Sequence, residues 1–236
     1  MASFHPSQSP RSLDALVGYQ VRRWDLEEEK RAPRGPLPCV AMSRLPYSGA
    51  AEVGRKVAER LGFGFFGIEI VDQIAREQGI QRDLVEGVDE RVRSAIDRWV
   101  VDAFRQRPFN ESDYLRGVVR TVATLGERGL AVILGRGSPF ILGEARTLRV
   151  LVVAPRQWRI ARRLEEEGGS AEEAEERIEL DDESRIRFLR ADFKVEPNDP
   201  GLYDLVVNTA TLGFDGAAEL MVEALARKFP AFRPGA

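Results

Sequence analysis

CVAMSRLPYSGAAEVGRKVAERL, residues Cys39 to Leu61, decides how the chain is read. Val40 to Ser43 is a short apolar strand. A Ser/Pro/Gly turn follows, and the stretch from about Ala51 to Leu61 puts Val53, Val57, Ala58 and Leu61 on one face of a helix. A strand that passes through a turn into a helix presents the helix's amino end, where free backbone N–H groups and the dipole favour an anion. Loops that cradle phosphate this way are usually glycine-rich and end in Lys followed by Ser or Thr. This turn has one glycine, Gly49, and no such Lys.

Outward from that stretch, apolar runs recur. Phe63, Phe65 and Phe66 mark a second strand, Ala131 to Leu134 a third, Leu148 to Val153 a fourth and Tyr203 to Val207 the last. Continuous apolar runs suit parallel strands buried on both faces. Helical spacing separates them, near Glu69 to Gln78, over 83–105, and from an N-cap at Ser112 to a stop at Gly126 and Gly129. Pro155 suits the first turn of a further helix, Gly168 and Gly169 end it, and Ser170 with Glu173 forms a capping box for a charge-dense one through Arg190. Residues 215–228 form the closing helix. The pattern predicts an α/β fold, a five-stranded parallel sheet flanked by helices.

Before it, residues 1–37 form a leader. Leu13, Leu16, Val17, Val21 and Trp24 fall at helical spacing, and Pro33, Gly35, Pro36 and Pro38 make a linker. The leader helix is expected to dock on the domain, on a partner or on a second copy. The main domain runs from 38 to 230, with a tail at 231–236.

Composition bounds the function. At 236 residues the chain suits one sizeable domain, and 43% hydrophobic with 31% charged residues fits a globular one. A net charge of −3 gives no bulk drive toward nucleic acid or an anionic membrane. One Cys, Cys39, excludes an internal disulfide and a cysteine zinc site, and the one His, His5, stands in a polar leader, which argues against a histidine-based triad or a His-ligated metal. No apolar run reaches membrane-spanning length and the start lacks a secretory pattern, so a reducing cytoplasm is the expected location. Lys stands only at 30, 56, 194 and 228; the remaining basic side chains are Arg, whose forks suit phosphate, although a GC-rich genome gives the same bias.

Five pieces then stand in order: MSR, SG and EVGRKVAERLG within 42–62; VILGRGSPFIL at 132–142; LRVLVVAP at 148–155; YDLVVNT at 203–209; and Arg177-Ile178 with Asp182, Arg185 and Arg190. Together they resemble the cytidylate kinase-like family, a branch of the phosphate-loop nucleoside monophosphate kinases, over about residues 38–228. The resemblance implies ATP as phosphoryl donor, Mg²⁺, a nucleoside monophosphate acceptor, an acceptor-side helical insert at about 68–128 and a mobile lid at about 165–195. It also assigns roles. Ser43, Ser48, Gly49, Ala50, Ala51 and Glu52 would cradle donor phosphates, with Arg159 and Arg162 as the family's paired arginines. Arg136, just past a strand end, would hold the acceptor phosphate. Arg185 and Arg190, oriented by Asp182, would close over the transferring group. No residue is expected to ligate a metal directly.

The chain departs from that family where the chemistry is concentrated. Tyr47 stands for the first loop glycine, Ala50 for another and Ala51 for a basic residue, while Gly67 stands for an Asp, with Asp72 as an uncertain substitute. Losing one charge-assisted contact costs about 1.5–3 kcal/mol. Three readings stay open: an active nucleotide kinase, a kinase-fold nucleotide-binding or partner-docking protein without turnover, and a structural module that uses the leader and 83–105 helices.

Overall fold

The computed structural model describes residues 37–77, 84, 94 and 109–232. Five strands form one all-parallel sheet: β1 Cys39–Arg44, β2 Gly64–Phe66, β3 Ala131–Leu134, β4 Thr147–Val153 and β5 Leu205–Asn208, in the order β2-β3-β1-β4-β5. The helices are α1 Ala50–Leu61, α2 Ile68–Arg76, α3 Phe109–Arg128, α4 Ser138–Ile141, α5 Arg156–Glu167, α6 Ala171–Phe193 and α7 Thr209–Lys228. The expected leader helix lies outside the described residues, as does the expected helix over 83–105 apart from Leu84 and Ser94.

β1 takes the centre because it can be buried on both faces: Cys39, Val40, Ala41 and Met42 are wholly inaccessible. Strand alternation sends its side chains to two cores. Val40 and Met42 join Val53, Val57 and Leu61 of α1 and Met221 and Leu225 of α7. Cys39 turns the other way, to Ile133 of β3, Ile70 and Ile74 of α2, and Val118 and Val122 of α3.

Most element ends fall within about three residues of the sequence reading, as where β5 is Leu205–Asn208 and α6 runs on to Phe193; the larger differences are in α3 and α7. α3 starts at Phe109, so Ser112 lies inside it. Gly126 does not stop that helix; a Cβ there would stand 2.4 Å from Leu142 Cδ2, so it is a packing glycine, and the chain turns only at Gly129, with φ 75°. α7 begins six residues earlier than position 215, capped by Asn208 Oδ1 on the Ala210 N–H at 3.1 Å, and is kinked at Gly213.

α5 and α6 form a helical hairpin. The Ser170–Glu173 capping box is formed in both directions. Its buried cluster is small, Ile160, Ala174 and Ile178. Ion pairs such as Arg159–Asp182 at 2.9 Å and Arg156–Glu175 at 3.1 Å join its two arms.

The topology creates one crevice. After β1 the chain leaves toward α1 and the first core. After β3 it leaves toward α4, whose Ile141 belongs to the second core. Neighbouring strands whose connections depart to opposite faces open a gap beyond their carboxyl ends, the usual ligand position in such sheets.

Candidate functional site

A pocket of about 530 Å³ occupies that gap, walled by the turn after β1, the turn after β3 and the inner face of the hairpin.

The turn after β1 is rigidly held. Thr209 Oγ1 donates to the Ser48 carbonyl at 2.6 Å, and Arg159 Nη1 donates to that of Pro46 at 3.4 Å. Gly49 precedes α1 with φ 74°, and a Cβ there would stand 2.3 Å from the Phe214 ring, so only glycine fits. No side chain caps α1, which leaves its first N–H groups open to the pocket that Ala50, Ala51 and Glu52 line. Ser48 is fully buried, and its Oγ has no hydrogen-bond partner among the described residues. An unpaired buried hydroxyl beside uncapped N–H groups suits an anionic ligand. Tyr47 sits at φ 58°, a left-handed conformation that disfavours a bulky residue. Tyr47 lines the pocket, with its ring turned to the hairpin. It packs on Ile160, Ala174 and Ile178, and its hydroxyl donates to Glu167 at 2.8 Å, tying the turn to the hairpin.

The turn after β3 is the other wall. Gly135, Arg136 and Gly137 all have positive φ, 80°, 53° and 72°. Arg136 is thrust into the gap, but its charge is already matched. Its Nε and Nη2 donate to both oxygens of Asp72, the first at 2.6 Å, and Tyr114 donates to the same carboxylate at 2.8 Å. Burial and that bond to Asp72 push the Tyr114 phenol up to about 12.

The third wall comes from α6 at helical spacing: Arg177, Asp181, Ser184, Arg185 and Phe188 all face the pocket. Arg177 pairs with Asp181 at 3.2 Å. Arg185 has only neutral acceptors among the described residues: Ser43 Oγ at 3.0 Å, Asn198 Oδ1 at 2.8 Å and the Pro197 carbonyl at 3.1 Å. Burial lowers its pKa.

Of the residues singled out in the sequence, the fold brings Ser43, Ser48, Gly49, Ala50, Ala51, Glu52, Arg136, Arg162 and Arg185 to one pocket. Arg162 arrives paired, with Glu52 and Glu166 each at 2.6 Å, and stacked 4.9 Å over the Phe214 ring. Three others are not among its walls. Arg159 is buried against Asp182, so Asp182 orients Arg159 and not Arg185. Arg190 is exposed on the helix's outer side, bonded to Glu196 at 2.6 Å, because it stands one position past the 181/185/189 row.

Sequence reading passed over Arg44, Arg177, Asp181 and Phe188 as wall residues. Arg44 carried the same signal as Arg136, a basic residue at the end of an apolar strand. Arg177 and Asp181 carried i,i+4 spacing on a helix already expected to face the site.

An all-parallel five-stranded sheet flanked by helices, with an anion-suited crevice beyond β1 and β3, is an α/β fold of the phosphate-loop type. The chain belongs to the cytidylate kinase-like family, whose profile matches residues 39–211. It is 24% identical to the cytidylate kinase of Methanopyrus kandleri over 196 residues, covering 79% of this chain and 92% of that protein. A separate 100-residue match, 34% identical, is to the uronate isomerase of Corynebacterium glutamicum; it covers 42% of this chain, and the chain spans 19% of that protein. Among solved structures, an uncharacterized protein from Eubacterium ventriosum superposes with a TM-score of 0.59 at 16% identity, over 80% of this chain and 98% of that one, which supports the fold alone. No helix among the described residues is long and apolar enough to cross a membrane.

Proposed function

We propose that the protein transfers a phosphoryl group from Mg-ATP to a nucleoside monophosphate of the CMP type, at a rate limited by its altered loop. The observation that carries this reading is the uncapped amino end of α1, with the unpartnered Ser48 hydroxyl beside it, opening on a pocket lined by five arginines, 44, 136, 162, 177 and 185. Phosphoryl transfer asks a protein mainly to align two phosphates and neutralise their charge. The N–H groups of residues 50–52 would hold the donor phosphates, the β3 turn would face the acceptor, and Arg185 from the hairpin would meet the charge that develops between them.

The residues fit such a nucleotide. The carboxylates lining the pocket, Glu52, Glu166 and Asp181, are engaged by Arg162 and Arg177. Magnesium commonly binds through substrate phosphates with few protein ligands, so it would be held chiefly by the nucleotide. When bound, it would neutralise phosphate charge.

A second reading is favoured by one observation. The loop itself offers no cation, since Ala50 and Ala51 stand at its end, so the protein is alternatively a nucleotide-binding or partner-docking relative without turnover. Assaying purified protein with Mg-ATP across a panel of nucleoside monophosphates separates the two. Diphosphate formation greatest with CMP is expected; binding without any diphosphate product would replace the first reading with the second.

A further inference from the structure

The five arginines of the pocket are not equivalent. Arg136 is matched by Asp72, Arg162 by Glu52 and Glu166, and Arg177 by Asp181. Arg185 rests on neutral acceptors. Arg44 is different again. It is the last residue of β1, partly buried and on the pocket wall, and no hydrogen bond or ion pair holds its guanidinium among the described residues. Burial is the largest influence on it and lowers its pKa; Glu69 and Asp181 act through space in the other direction, and Arg136 adds a like charge. Arg185 also feels Arg44 as a like charge. Arg44 therefore shares the pocket wall with two like charges that it feels, Arg136 and Arg185, and no carboxylate among the described residues contacts it.

A guanidinium held partly out of water without a partner is unfavourable in the free protein. The same arrangement is favourable for an anion that brings two or more oxygens to the fork. We infer that Arg44 is a phosphate-binding residue of this pocket and supplies, from the end of the central strand, the positive charge that the turn lacks at Ala51. The turn keeps its backbone donors, and the cation comes from Arg44, five residues before the Gly49 that precedes α1. This extends the proposed function, on which it rests only for which nucleotide carries the phosphate.

The test uses the full chain, as wild type, Arg44→Met and Arg44→Lys, titrated calorimetrically with sodium tripolyphosphate, Mg-ATP and CMP, with thermal melting without ligand. Arg44→Met is expected to bind tripolyphosphate about tenfold to a hundredfold more weakly, as for loss of one charge-assisted contact. Its ligand-free melting temperature should equal or exceed that of wild type, because an unmatched charge has been removed. Arg44→Lys should fall between the two in affinity, a charge without the fork. A loss shared by Mg-ATP assigns Arg44 to the donor phosphates, and one shared by CMP assigns it to the acceptor. Unchanged binding of all three probes in Arg44→Met would overturn the inference while leaving the proposed function standing. So would a ligand-free melting temperature lowered by several degrees, which would make Arg44 a structural residue. Arg44-dependent tripolyphosphate binding without any diphosphate formation would do the reverse, removing the proposed function and keeping the inference. A wild type that binds none of the probes would remove both.

Discussion

The two turns that frame the pocket solve the same problem in opposite ways. The turn after β1 offers backbone: a left-handed Gly49, uncapped N–H groups and the buried Ser48 hydroxyl, with no basic side chain from Tyr47 to Glu52. The turn after β3 offers a side chain, Arg136, on three consecutive positive-φ residues, but that cation arrives already bound to Asp72. One wall has donors without charge and the other has charge already spoken for. The difference teaches that a phosphate bound there as proposed would have to draw net positive charge from outside both turns, from the last residue of β1 and from the hairpin.

The largest expected effect tests that conclusion directly. Arg185→Ala should lower kcat for nucleoside monophosphate phosphorylation on the order of 100–1000-fold, as for removal of a donor aimed at transition-state charge. Steady-state assays in Mg-ATP measure it. An Arg185→Ala enzyme within a few-fold of wild type would return the burden to the turns.

Next is Gly49→Ala, which attacks the backbone wall. It combines a φ of 74° with a Cβ 2.3 Å from the Phe214 ring. Overpacking and the disfavoured conformation together should destabilise the fold by about 2–4 kcal/mol. Urea denaturation reads this as a lower midpoint with an unchanged slope. A neutral result would mean that the turn is softer than its contacts with Thr209 and Arg159 imply.

The smallest effect concerns the β3 wall. Asp72→Asn leaves Arg136 without its counter-charge in a partly exposed setting and should cost about 1–2 kcal/mol of stability. The same change should strengthen tripolyphosphate binding by several-fold, since Arg136 is then free to meet an anion. If stability falls and anion binding falls with it, Asp72 acts by aiming Arg136 and not by neutralising it.

Much of the fold was legible because burial leaves a direct trace in sequence. A strand covered on both faces reads as an unbroken apolar run, which is why Ala131 to Leu134 coincides with β3 and why β1 and β4 differ from their expected bounds by one residue or so at an end. The Ser170–Glu173 box was legible because both its hydrogen bonds lie within four residues. Gly126 misled for the converse reason: its role depends on Leu142, which is distant in sequence.

The candidate site divides along the same line. By itself the sequence determined the order of the five strands and the poverty of the β1 loop at Tyr47, Ala50 and Ala51. Those are properties of neighbours along the chain. Only the tertiary structure decided which arginines are matched. Asp72 is 64 residues from Arg136, and Glu52 is 110 from Arg162. It also turned Arg190 outward, gave Asp182 to Arg159, carried the Tyr47 ring onto the hairpin and left Arg44 without an ion pair among the described residues. An arginine's charge is written in the sequence, but whether that charge is free depends on which carboxylate folding brings within reach.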